Sequence, residues 1–149
     1  MREFTTYMDI ALAEARLAAM RGEIPVGAVI VADGEVLAQN GNRTRELSDP
    51  TAHAEILVIR AACAAIGSER LPDVDLYVTL EPCPMCAMAI SAARIARLYY
   101  GAADPKSGGV EQGPRIFSHP QCHHKPEVYG GINEAASATL LREFFGGRR

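Results

Sequence analysis

The chain has 149 residues, 48% hydrophobic and 22% charged, the composition of a folded domain rather than a disordered segment. A net charge of −3 excludes a global positive field, so any contact with nucleic acid has to use a local patch. With 4 cysteines and a beginning that does not read as a signal peptide, a disulfide framework is not expected, whereas metal or catalytic use of the thiols is. No apolar run approaches the ~20 residues that cross a bilayer, so no membrane partner is expected and the expected compartment is the cytoplasm.

Phe4, Met8, Leu12, Ala15 and Ala19 recur at helical spacing, and Thr6 with Asp9 resembles a capping box, which predicts a first helix over residues 5–21. "GAVIVADGEVLAQN" holds two β-branched runs around Asp33-Gly34. That pair tolerates φ > 0 at both turn positions and predicts a hairpin. A polar loop with Arg43 and Arg45 follows, and Asp49-Pro50 then predicts the start of a second helix. On that helix Ile56, Ile59, Cys63 and Ile66 form an apolar stripe, and Gly67 suits its C-terminal cap. "DLYVTL" alternates as a strand with Leu76, Val78 and Leu80 on one face, a third helix covers 85–93, and "RLYYGA" is another strand. Residues 104–126 carry Pro, Gly and His clusters and fit no regular element. A short strand over 127–129 and a final helix over 134–145 end the chain. No repeat or linker interrupts this order, which predicts one domain over residues 1–149. Strands alternating with helices predict a mixed sheet covered on both faces, an α/β fold.

Two segments carry chemistry. In "TLEPCPMCAMAI", Cys83 and Cys86 stand at i, i+3 in the first turn of a helix, where both thiols project to one side. The helix N-terminus stabilises thiolates, but a redox pair or two small buried hydrophobes would share this spacing. In "TAHAEIL", His53 and Glu55 lie at the start of another helix, where a lone histidine also serves as a cap or a core residue. If the two helix ends meet, His53, Cys83 and Cys86 supply three zinc ligands and leave a fourth position for water, the arrangement of a catalytic site. Glu55, near the metal without binding it, can then move the proton of that water.

HAE followed by PCxxC resembles the zinc-dependent nucleoside and nucleobase deaminase superfamily. "PVGAVIV", "GNRT", "DPTAHAEI", "LYVTLEPCPMCAMAI", "RLYYGAADPKSG" and "LREFF" extend the likeness along nearly the whole chain, which is similar to bacterial tRNA-specific adenosine deaminases. The resemblance implies a cytidine-deaminase-like three-layer α/β/α sandwich with a five-stranded sheet, and a homodimer with active sites near its interface. It implies one zinc per chain on His53, Cys83 and Cys86, with Glu55 as proton shuttle. Asn42 would contact the nucleoside, Val26 and His53 would sandwich the base, the Ala54 backbone would read its edge, and Asp104 would sit beside the RNA backbone. The implied reaction is hydrolytic deamination of the wobble adenosine of an arginine tRNA to inosine, with zinc-bound hydroxide attacking C6. The implied partner is the tRNA anticodon stem-loop. Two other readings are carried forward: a deaminase of a free base such as guanine, and a non-catalytic zinc module in which Cys83 and Cys86 are completed from "HPQCHH".

Other residues stay outside this scheme. His119, Cys122, His123 and His124 lack regular ligand spacing, so an incidental loop is favoured over a second metal site. Cys63 is expected in the core. Phe144 and Phe145, at the end of an amphipathic helix, are expected to pack inside rather than to stack on bases. Arg43, Arg45, Arg148 and Arg149 are the candidates for a local RNA patch.

Overall fold

The computed structural model describes residues 6–146. Phe4, Arg148 and Arg149 lie outside them. Helix α1 (Tyr7–Met20) opens on the expected capping box, in which the Thr6 hydroxyl and Asp9 carboxylate each accept the other residue's backbone N–H. The hairpin β1 (Gly27–Ala32) to β2 (Glu35–Gly41) turns at Asp33 and Gly34, with φ of 51° and 77°, as a type I′ turn requires. Helix α2 (Ala54–Ile66), β3 (Asp75–Leu80), α3 (Pro84–Ala92), β4 (Arg97–Ala102), β5 (Glu127–Tyr129) and α4 (Glu134–Gly146) follow. A 3-10 turn at Ile116–Ser118 breaks the long loop before β5.

The sheet has the order β2-β1-β3-β4-β5. β1 pairs antiparallel with both β2 and β3, whereas β3–β4 and β4–β5 are parallel. β1 is an interior strand and almost wholly buried, because both of its faces are covered. On one face Ala28, Ile30, Leu76, Val78 and Leu98 pack against Val58 of α2 and Ile90 of α3. On the other, Val29 and Val31 meet Met8, Ala11 and Leu12 of α1, and α4 packs beside α1 on β3 and β4. Each large aliphatic side chain buried here contributes roughly 1.5–3 kcal/mol. The layers are therefore α1 and α4, then the sheet, then α2 and α3. Among the described residues no helix is long and apolar enough to cross a membrane.

Two expectations about α2 need correction. Asp49-Pro50 does not start the helix. Asp49 Oδ1 instead accepts from the Thr51 N–H and hydroxyl at 2.8 and 2.7 Å, closing a turn, and His53 is the N-cap residue. The buried face is Ala54, Glu55, Val58 and Ala62. Ile59 and Cys63 are only half-buried against that core, and Ile66 is 47% exposed. The bulky residues lie along the flank because α2 sits close to the sheet, where small side chains fit. Gly67 does cap the C-terminus, at φ 77°.

Candidate active site

α2 and α3 lie side by side on one face, and their N-termini converge. His53 and Cys83 are the N-cap residues, both in extended backbone conformation, and neither side chain makes a capping hydrogen bond. Pro84 at the first helical position fixes φ for α3 and sacrifices only an N–H that has no helical partner. The imidazole and the thiol are therefore free to face each other. His53 Nδ1 lies 3.6 Å from Cys83 Sγ and 3.5 Å from Cys86 Sγ, and the ligand atoms of the three residues all lie within 4.8 Å of one another.

These distances can be tested against zinc. Tetrahedral coordination with Zn–S of about 2.3 Å and Zn–N of about 2.0–2.1 Å requires nitrogen and sulfur to stand roughly 3.6 Å apart. The donor set and its spacing fit. Two helix N-termini aimed at one point favour the negative charge of thiolates there. Cys83 is held down at about 4, first by the hydrogen bond from the Cys86 thiol and then by His53, against the opposing effect of burial. The same bond, together with burial, pushes Cys86 up. His53 is raised by its hydrogen bond to Cys83.

Glu55 is 3% exposed, and burial pushes its carboxyl up to about 7. A carboxyl tuned there can both accept and release a proton near neutral pH.

The cluster opens onto a cavity of about 690 Å³, within the usual range for a small-molecule site. Val26, Asn42, His53, Glu55 and Asp104 all line it. Asn42 is buried, and its Oδ1 accepts the Ala54 N–H at 2.8 Å, so Asn42 holds the first turn of α2. The Ala54 amide is thereby engaged within the protein. Phe145 was expected inside the core. It is instead 53% exposed, lines the cavity with Leu141, and packs edge-on against Phe144 at 5.4 Å.

Sequence reasoning missed two buried carboxylates, Glu81 on the cavity wall and Glu23. Glu81, after β3, accepts backbone N–H groups of the loop that follows β4. Glu23, after α1, accepts from the Arg45 and Glu46 amides and the Thr44 hydroxyl. Hydrogen bonds hold its pKa low against the raising effect of burial, which is the largest single influence. Their only sequence signal is an acidic residue at the edge of an apolar run. Arg43 and Arg45 serve the same loop: Arg43 pairs with Glu46 at 2.7 Å, and Arg45 donates to the Gly22 carbonyl.

In the histidine-rich loop no metal-binding cluster forms among the described residues. Cys122 Sγ bonds Ser91 Oγ and the His124 carbonyl, His124 Nε2 bonds the Ile95 carbonyl, and His119 Nε2 bonds the Pro114 carbonyl. Among the described residues, the one cluster able to hold a metal is His53, Cys83 and Cys86. This removes the support for a zinc module completed from "HPQCHH".

Residues 1–102 match the family described as the cytidine and deoxycytidylate deaminase zinc-binding region. The chain is 64% identical over 149 residues to a tRNA-specific adenosine deaminase of Agrobacterium fabrum, covering 100% of this chain and 98% of that protein. It superposes with a TM-score of 0.90, at 66% identity, on a structure solved in studies of A-to-I editing by tRNA:A34 deaminases at the wobble position of transfer RNA. That match covers 91% of this chain and 98% of the other. A guanine deaminase of Bacillus subtilis matches less fully, with a TM-score of 0.65 and 41% identity over 68% of this chain and 66% of its own. The five-stranded mixed sheet between helix layers is thus the cytidine-deaminase-like fold. The chain belongs to the zinc-binding deaminase family, within its tRNA-specific adenosine deaminases.

Proposed function

We propose that this chain is a single-domain hydrolase, residues 1–149, that deaminates adenosine to inosine at the wobble position of a tRNA in the cytoplasm. Arginine tRNA is the proposed substrate. The observation that carries the chemistry is the meeting of His53 Nδ1 with two thiol sulfurs at 3.5 and 3.6 Å, beside the buried Glu55. The likeness to tRNA-specific adenosine deaminases supports the substrate.

His53, Cys83 and Cys86 would hold one zinc per chain. Bound zinc supplies a Lewis acid that lowers the pKa of a water toward about 7, making it a nucleophile for C6 of the base. Glu55 takes the proton of that water and delivers it to the ring nitrogen N1. It would then carry the proton of the new C6 hydroxyl to the exocyclic amine, so that the C6–N6 bond breaks, ammonia leaves and the C6 carbonyl of inosine remains. Val26 and the His53 ring, both on the cavity wall, would sandwich the base. Asn42 and the Ala54 backbone are assigned to nucleoside recognition, with Asn42 also fixing α2; the Ala54 N–H, which donates to Asn42 Oδ1, would divide between that oxygen and the base. Asp104 is assigned to the RNA backbone side.

A base already unstacked in an anticodon loop avoids most of the few kcal/mol that extrusion from a duplex requires. Exposed Met85 and Met88, at 38% and 43% on the helix that carries both cysteines, support association as a homodimer. Light scattering on the purified chain tests that state.

The guanine reading keeps one supporting observation, the partial match to a guanine deaminase. Both readings are separated by incubating the zinc-loaded protein with an arginine tRNA anticodon stem-loop, free adenine and free guanine. Inosine in the stem-loop, formed more slowly as salt rises, is expected. Rapid guanine turnover without inosine would transfer the assignment to the free-base reaction.

A further inference from the structure

Glu81 is 2% exposed and forms no ion pair among the described residues. Its backbone is fixed, since its N–H donates to the Ala102 carbonyl at 2.8 Å. Its side chain serves a different segment. Oε1 accepts the Asp104 N–H at 3.0 Å, and Oε2 accepts those of Val110, Glu111 and Gln112 at 3.1, 2.8 and 2.9 Å. One carboxylate therefore gathers four amides from both ends of the loop 104–112. A charge buried this deeply is stable only with such compensation.

The loop is shaped around it. Asp104 Oδ1 closes the tip by accepting the Lys106 and Ser107 N–H groups, and the Gly109 N–H donates to the Pro82 carbonyl. A Cβ on Gly108 would lie 2.6 Å from the Asp104 carbonyl oxygen, 2.7 Å from Glu81 Cδ and 2.8 Å from Oε1, closer than packed atoms approach. Glycine at 108 leaves room for the carboxylate. The loop so held presents Asp104, Lys106 and Ser107 to the cavity.

We infer that Glu81 is a positioning residue for the polynucleotide, acting through the loop 104–112 that forms one wall of the cavity. This rests on the reading of the site given above. The four amides that Glu81 gathers all belong to the loop and none to α2 or α3, whose own first turns hold Glu55 and Cys86. The loop meets the segment before α3 through the Gly109 N–H to Pro82 carbonyl bond, which Glu81 does not make. A displaced wall weakens ground-state and transition-state binding alike, which raises KM and leaves kcat in place. Glutamine at 81 is isosteric. With its oxygen at the Oε2 position it keeps three amides and turns an NH₂ group on the Asp104 N–H, releasing the end of the loop that reaches the cavity.

The test uses the zinc-loaded full chain, with Glu81→Gln and, independently, Gly108→Ala, which crowds both the carboxylate and the Asp104 carbonyl without removing either. Both should keep wild-type zinc and raise KM for the anticodon stem-loop at least about tenfold, with kcat within about threefold. Amide hydrogen exchange should accelerate across 104–112 and not in α2 or α3. Unchanged KM alongside faster loop exchange would overturn the inference. So would loss of zinc or of kcat at unchanged KM, which assigns Glu81 to the metal centre. Unchanged exchange in both variants would overturn the anchor itself. Failure of the functional reading would show separately, as a wild-type protein that makes no inosine while the exchange difference persists.

Discussion

Asn42 offers a way to separate support of the site from recognition within it. Its backbone is fixed on both sides, since its N–H donates to the Val26 carbonyl and its own carbonyl accepts from Arg21. A substitution there acts through the side chain alone. Asn42→Ala removes the Oδ1 that accepts the Ala54 N–H, one of the orphan donors at the start of α2. Because that donor is buried, leaving it unpaired costs about 1–3 kcal/mol. Near the size of this chain each kcal/mol corresponds to about 2–4 °C in Tm, so a central cost of about 2 kcal/mol predicts a fall of roughly 4–8 °C. Asn42→Asp keeps an acceptor and adds a negative charge beside a helix N-terminus, which favours it by about 0.3–1 kcal/mol. Burying that charge opposes the gain, so its melting should fall by less than that of Asn42→Ala. The amide NH₂ is lost in both variants, and it has no partner among the described residues. Both should therefore raise KM for the stem-loop, by roughly tenfold for the loss of one good hydrogen bond. Calorimetry of the zinc-loaded proteins and initial-rate inosine assays provide the two readouts. If Asn42→Asp melted as early as Asn42→Ala, the Ala54 hydrogen bond would not be the source of the stability.

Three further outcomes are expected. Cys83→Ala should lose zinc and Cys122→Ala should keep it, because Cys122 bonds Ser91 and the His124 carbonyl rather than the cluster; elemental analysis of the two proteins decides this. Glu55→Ala should fold and retain zinc and RNA binding while losing at least ~10²–10⁴-fold in turnover, the usual contribution of one general acid–base group; near-normal turnover would remove Glu55 from the mechanism. Glu23→Ala should lower stability by about 2–4 kcal/mol in denaturant titration, since it leaves the Arg45 and Glu46 amides without their acceptor; an unchanged midpoint would mean those amides find other partners.

Most elements were legible because local chemistry dictates them. The Asp33-Gly34 turn, the Thr6–Asp9 capping box and the Gly67 cap each depend on one or two residues whose backbone preference is strong. β3 and β4 stood out as dense β-branched and aromatic runs. The start of α2 was misread because an Asp-Pro pair looks alike whether the aspartate caps a helix or closes a turn. Here its carboxylate is spent on Thr51. The buried face of α2 was misread because alanines form it, and alanine weighs little beside the isoleucines along the flank. In the site, HAE and PCxxC are short patterns whose spacing carries the chemistry, so they are visible once read together. Glu23 and Glu81 are not visible in that way. Their partners lie about twenty to thirty residues further along the chain, and only the fold brings those amides to one carboxylate. Phe145 was assigned to the core by helical periodicity, which cannot tell a core-facing flank from a cavity wall.

Hydrolytic deamination of adenosine within RNA, with His53, Glu55, Cys83 and Cys86 proposed as its site, leaves a signature in the oxygen of the product. Its most direct test is the reaction of the zinc-loaded protein with the anticodon stem-loop in water enriched in heavy oxygen, followed by mass spectrometry of the digested nucleosides. The expected result is inosine carrying one heavy oxygen at C6 and an equal amount of free ammonia, both abolished in Glu55→Ala. Inosine without the label, or an unmodified stem-loop beside rapid consumption of free guanine, would contradict the account.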